Sequence, residues 1–292
     1  MLFSARFRAQ AKIICLASLL AAPLTGCGSL ALTTPLTEQI NASLPSDESG
    51  LRRYSDELGR RYDSNPADRE TVLAYAAVLR KLRQTAQAVA VLQREAARNP
   101  EDLDVLGAYG KALADVGRFQ EAADVLTRAH TPERPNWSIL SAQGSVADRL
   151  GDHAQAQAFY EAALAIMPDE PSILSNLGLS FALSRDLERA EDVSRRAANL
   201  PAADMRVRQN FALVLALRGK FVEAEDISRR DLRPEEAAQN IADIRASMAQ
   251  SDTWKTLRQS SRNEPPRINL STAPKRAAQP ARSNSPELRK GL

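Results

Sequence analysis

Two cysteines, Cys15 and Cys27, and two histidines, His130 and His153, are the only thiols and imidazoles in the chain. A zinc site needs two to four such ligands brought together, and this inventory and spacing offer none. His153 recurs at a position otherwise held by Phe119, Leu187 and Phe221, each 34 residues or a multiple of 34 away, which reads as a packing position. His130 falls at a helix end, where an imidazolium would make a favourable contact with the helix dipole. No phosphate-cradling G-x-x-x-x-G-K, nucleophile G-x-S-x-G, H-E-x-x-H or dinucleotide G-x-G-x-x-G stretch occurs. The acidic pairs Glu235–Glu236 and Glu223/Glu225 read as solvated helix faces. The chemistry left is recognition. Asn176 and Asn210, 34 residues apart, carry amides that donate and accept at once. The sequence thus predicts no catalytic residues, no cofactor, no metal site and no small-molecule substrate.

The elements that would position those residues are helices. Alanine, leucine, arginine and glutamate dominate, aromatics are 5% of residues, and no alternating run suggests a strand. Self-similarity at a step of 34 residues organises the chain. Alanines stand at 88, 122, 156, 190 and 224. Gly110, Gly144, Gly178 and Ala212 form a second column, and Gly117, Gly151 and Gly219 a third, in which Arg185 fills the gap. Leu79, Leu113, Ala147, Phe181 and Leu215 form another, and prolines at 66, 100, 135, 168, 201 and 234 punctuate the ends.

The stretch Leu106-x-x-Tyr109-Gly110-x-x-Leu113, followed by Gly117-Arg118-Phe119-Gln120-Glu121-Ala122, resembles the tetratricopeptide repeat. That resemblance implies an all-α, right-handed α/α solenoid of about five helix pairs over residues 67–234. First helices would begin near Arg69, Leu103, Trp137, Pro171 and Met205. Short helices are marginal alone and gain stability by burying one face within the pair and another on the next repeat. The Gly/Ala columns mark where the helices of a pair approach closest, and the turn glycines accept positive φ. Residues 47–66, with Leu51, Tyr54, Leu58 and Tyr62, read as an N-terminal capping helix and 235–257 as a C-terminal one. From 258 to 292 the chain is rich in Pro, Ser, Ala and Arg without apolar periodicity, which predicts a disordered basic tail.

The N-terminus reads as an export signal. Arg6, Arg8 and Lys12 precede the apolar run Ile13–Ala22, too short to span a bilayer. Leu24-Thr25-Gly26-Cys27 follows and resembles the lipobox of bacterial lipoproteins. The resemblance implies cleavage after residue 26, acylation of Cys27 with chains such as palmitate, and a lipidated tether over 27–46. Gly28 after the cysteine implies the periplasmic face of the outer membrane of a Gram-negative bacterium. The net charge is +3, but the basic residues concentrate at the two ends and leave the repeats acidic. The high isoelectric point therefore marks no nucleic-acid-binding domain.

By resemblance the functional surface is the concave face lined by first helices. Its outward positions pass from Arg80, Lys81, Lys111, Asp115, Asp148 and Arg149 to Leu179, Ala182, Leu183, Leu213, Ala216 and Leu217. The late apolar positions either form a groove for a helix or extended peptide or pack on the next repeat or the C-terminal helix. The candidate partner-binding residues are Asn176, Leu179, Leu183, Asn210, Leu213 and Leu217. Arg229-Arg230-Asp231-Leu232, then Ala237–Arg245 and Ser251-Asp252-Thr253-Trp254, resemble the TadD lipoproteins of the tight-adherence (Flp-type) pilus machinery. That implies partners in the pilus secretion machinery, such as the secretin or its neighbours, and no enzymatic role. A cell-envelope adaptor for peptidoglycan enzymes or proteases, and an outer-membrane protein assembly factor, are the alternatives.

Overall fold

The structure, a computed structural model, describes residues 36–263, with side chains through Gln250. Cys27 and the chain from 264 onward lie outside the described residues. Among the described residues thirteen helices follow one another: α1 (Leu36–Ser43), α2 (Glu48–Ser64), α3 (Arg69–Lys81), α4 (Thr85–Arg98), α5 (Leu103–Asp115), α6 (Phe119–Thr127), α7 (Trp137–Leu150), α8 (His153–Ile166), α9 (Pro171–Leu183), α10 (Leu187–Asn199), α11 (Met205–Leu217), α12 (Phe221–Ser228) and α13 (Pro234–Asn263). The only β-type pairing among these residues is an isolated bridge between Thr131 and Arg134.

Five helix pairs, α3/α4 to α11/α12, form the solenoid, and each first helix starts on the residue marked by the 34-residue register. Every helix from α2 on packs against the next, and consecutive first helices also touch. The alanines at 88, 122, 156, 190 and 224 are wholly buried. At Gly144 an added Cβ would lie 2.7–2.9 Å from three ring atoms of Tyr160, so the α7–α8 crossing has no room for a side chain. Gly117, Gly151 and Gly219 close the first helices at φ of 82°, 87° and 78°. Arg83 and Arg185 hold the same left-handed conformation at φ of 59° and 68°, where an L side chain is disfavoured.

Asp68, Asp102, Asn136, Glu170 and Asp204 cap the first helices, each side chain accepting a backbone N–H of the first turn. At the far ends of the second helices, Arg98, Arg128 and Arg196 reach back to the carbonyls of Pro66, Pro100 and Pro168. α2 closes the N-terminal end of the stack through Leu58, and the Tyr62 ring tilts against Tyr75 at 5.7 Å. α13 closes the other end with Ala237 and Ile241 buried and Arg245 over the Phe221 ring at 4.8 Å. It then continues past Leu257 to Asn263. α1, inside the stretch expected as a tether, packs on α3 and α5.

Candidate functional site

The candidate site is the concave face built by α3, α5, α7, α9 and α11. Its N-terminal and central part is an open groove of about 870 Å³. α3 contributes Ala77, Arg80 and Lys81, the following turn Arg83, and α5 Lys111 and Asp115. α7 adds Trp137, Ser138 and Ser141, α9 adds Ser172, and α1 supplies Glu38 and Asn41. This stretch is cationic at one end and hydroxyl-lined toward the middle.

Each step between neighbouring first helices is bridged by a polar contact. Arg80 Nε donates to Asp115 Oδ2 at 2.5 Å between α3 and α5. Lys111 Nζ donates to Ser138 Oγ at 2.6 Å between α5 and α7. Ser180 Oγ donates to Asp148 Oδ1 at 2.8 Å between α9 and α7. Asn210 Nδ2 donates to Ser175 Oγ at 2.9 Å between α11 and α9. Burial pushes the Lys111 ammonium below its ordinary pKa, and the Glu38 carboxylate partly offsets that.

Beneath the face, Asp148 is a hub. Besides Ser180 it accepts from His153 Nδ1 at 2.8 Å and from the Tyr160 hydroxyl at 3.3 Å. Burial, with the nearby Asp148 charge, pushes the Tyr160 phenol well above its usual pKa, so it stays a donor. His153, expected from its column as a packing residue, is a hydrogen-bonding one. The i, i+5 pairing of Asp148 and His153 across the Gly151 turn was the signal for it. The trio Ser180, His153 and Asp148 is no hydrolytic arrangement, because serine and imidazole both bond to one carboxylate oxygen. The imidazole is not aligned to take the serine proton. His130, expected to face a helix dipole, meets Gln143 Oε1 at 3.0 Å through Nε2. Among the described residues no cluster of three His, Cys, Asp or Glu could hold a metal ion, and no helix is long and apolar enough to cross a membrane.

The six predicted partner-binding residues do not share one environment. Leu183 is 57% exposed. Asn176 is half-buried, its side chain without a hydrogen-bond partner among the described residues, and Leu179 is half-buried against the apolar cluster of Leu177 and Phe181. Asn210 is already engaged by Ser175. Leu213 lines a cavity of about 250 Å³ shared with Ile241 and Ile244 of α13, and Leu217 is half-buried. Of the other positions expected to face outward, Ala216 is wholly buried, because it packs in one cluster with Phe221 and Ile227 of α12 and Ile241 of α13. Asp148 is half-buried because it serves three donors. The column of first-helix caps and the seating of α1 in the groove were missed. The caps were legible, since Asp68, Asp102 and Asp204 share the 34-residue step with Asn136 and Glu170.

Comparison with known proteins agrees with this geometry. Residues 73–136 and 141–204 match the tetratricopeptide-repeat profile. PilW, described as a widely conserved type IV pilus biogenesis factor, superposes with a TM-score of 0.60 at 16% identity, covering 71% of this chain and 97% of its own. The APC/C hetero-tetramer Cut9–Hcn1 gives a TM-score of 0.59 at 16% identity, covering 75% of this chain and 42% of that one. TTC0263, a thermophilic protein of Thermus thermophilus, gives 0.52 at 23% identity, covering 62% of this chain and 95% of that one. No curated protein matches the sequence. With the 34-residue register, five capped pairs and a laced concave face, these matches show a tetratricopeptide-repeat solenoid fold, its repeats matched over residues 73–136 and 141–204.

Proposed function

We propose that the protein is a non-enzymatic scaffold, anchored to the outer membrane through lipid on Cys27, that docks a component of a tight-adherence (Flp-type) pilus machine on its concave face. One observation carries the docking reading. The first helices leave an open, preformed groove whose lining passes from Arg80, Lys81 and Lys111 to Ser138, Ser141 and Ser172, and beyond it Leu183 stands exposed at the end of α9. A graded lining of that kind fits a peptide or helix with polar and apolar ends better than it fits a small molecule. The anchor and the pilus assignment are supported by the Leu24–Cys27 box and by the resemblance of residues 229–254 to TadD lipoproteins. The likeness to PilW is one of fold. Within the late half of the face, Asn176, Leu179, Leu183 and Leu217 are the contact residues. Asn210 serves the scaffold, and Leu213 helps seat α13.

The deciding experiment replaces Leu183 with Glu in a piliated host. Leu183 is largely exposed, so the change should move stability by less than about 0.5 kcal/mol. Piliation should be lost while the protein stays folded by circular dichroism and sediments with the outer membrane. A folded, anchored Leu183→Glu protein that still supports pili removes this surface from the proposal. Cys27→Ser should release the protein from the membrane fraction, and unchanged sedimentation refutes the anchor.

A further inference from the structure

α1 sits in the N-terminal part of the concave groove as a ligand would. It touches α3 and α5 and makes no comparable contact with α2 or any second helix. Ile40, 8% exposed, enters a small pocket with Leu73, Ala76, Ala77 and Ala108. The carboxylate of Glu38 accepts from Ser138 Oγ at 2.6 Å and from Lys111 Nζ at 3.5 Å, while Lys111 also donates to Ser138. One acid therefore answers an ammonium of α5 and a hydroxyl of α7, and one β-branched side chain fills an alanine-lined floor.

The hold is weak by construction. α1 has eight residues, too few to be helical without support. Ile40 is its one fully buried side chain, Leu36 and the following Leu44 are only partly buried against the same core, and a gap of about 20 Å³ remains beside Ile40. The solenoid does not depend on it, because α2 already caps the first pair and the five pairs bury their own interfaces. With α1 removed, the groove floor would present Lys111 and Ser138 without their carboxylate beside an open apolar pocket.

We propose that α1 is a displaceable self-ligand. The α3–α5–α7 groove is a receptor for a short acidic helix whose carboxylate meets Lys111 and Ser138. A branched apolar side chain two residues later fills the Leu73–Ala108 pocket. A partner helix with this pattern docks by displacing α1. The tethered copy holds an effective concentration in the millimolar range, so it weakens any free competitor for the same site.

The inference extends the docking reading to a stated partner chemistry, but its test contains no pilus component, so the two can fail separately. The processed chain, carrying methyl labels, is titrated with a peptide of residues 34–46. The same titration is done on a chain bearing Glu38→Arg and Ile40→Asp. The expected result is a shift of the Leu73 methyls in the double variant at a concentration at least about tenfold lower than in the unaltered chain, because the intramolecular competitor is gone. Adding Lys111→Met to the double variant should weaken the peptide by about tenfold, as loss of a charge-assisted contact does. Equal affinity in the two chains, or no binding to the double variant, overturns the proposal. Loss of the solenoid's helicity in the double variant overturns it as well, since α1 would then belong to the fold.

Discussion

Gly144→Ala tests whether the closest helix crossing supports the site above it. The new Cβ would fall 2.7, 2.8 and 2.9 Å from Cε1, Cζ and Cδ1 of Tyr160, where carbon pairs prefer about 3.5–4.0 Å. The ring cannot retreat easily. It is 2% exposed, and its hydroxyl is bound to Asp148, which in turn holds His153 and Ser180. Overpacking costs about 1–3 kcal/mol, and three contacts below 3.0 Å against an immobile ring put this one in the upper part of that range, about 2–3 kcal/mol. The alanine regains nearly 1 kcal/mol of helix propensity over glycine, so a net loss of about 1–2 kcal/mol is expected. For a folded unit of this size that lowers the melting temperature by about 2–8 °C. Thermal unfolding by circular dichroism measures the total, and hydrogen exchange locates it, with protection expected to fall across α7–α9 before α3–α5. Gly59→Ala is the control: its Cβ would come no closer than 3.3 Å to anything, and that to the Tyr75 hydroxyl, so it should cost less. A Gly144→Ala protein as stable as the parent would show that Tyr160 is free to move, and the tie between this crossing and Asp148 would be wrong.

Arg185→Gly should raise stability by about 1 kcal/mol, because it relieves a left-handed conformation in which an L residue costs about 1–2 kcal/mol; an unchanged or lower unfolding midpoint refutes the strain. Asp231 makes a forked ion pair with Arg208, one arm at 2.8 Å, and that guanidinium holds its carboxyl below the ordinary value of 3.8. The unfolded chain binds the proton more readily, so the stabilisation is complete above pH 3.8 and drains away as pH falls through the lower folded value. Asp231→Asn should therefore lose less stability than the parent on acidification through that range, and parallel pH profiles would contradict this.

The repeat was legible because its constraints are local and recur. A residue wedged at a helix crossing must be small, and a residue closing a helix at positive φ is cheapest as glycine, so the columns of 88 and 117 could be read in order. The site was legible only in part. Ala182 and Ala216 occupy matching steps of the helical pattern on α9 and α11, yet the first is half-buried and the second wholly buried in a cluster with Ile241 of α13. The difference comes from a helix that packs only on the last pair, and a repeat rule carries no information about its ends. His153 was misread for a related reason. The column records the size of the side chain, while its polar partner, Asp148, sits on the preceding helix. α1 was read as tether because two turns with a single buried apolar side chain give no periodicity to detect. Its pairing with Lys111 spans 73 residues.

The polar contacts between first helices explain why serine replaces bulkier residues along the middle of the concave face. Ser138, Ser175 and Ser180 each engage a neighbouring first helix, and a short hydroxyl does so without filling the groove. The spacing of α3, α5, α7, α9 and α11 is thereby fixed before any partner arrives. A preformed surface binds without the ordering cost that a loose one would incur. It follows that lacing and lining residues should behave differently when changed. Ser175→Ala removes the acceptor for Asn210, so it should loosen the α9–α11 step and weaken a partner through the spacing of the groove, with a fall in stability alongside. Leu183→Glu should weaken a partner with no fall in stability. That separation distinguishes a surface that recognises its ligand from a scaffold that merely survives the substitution.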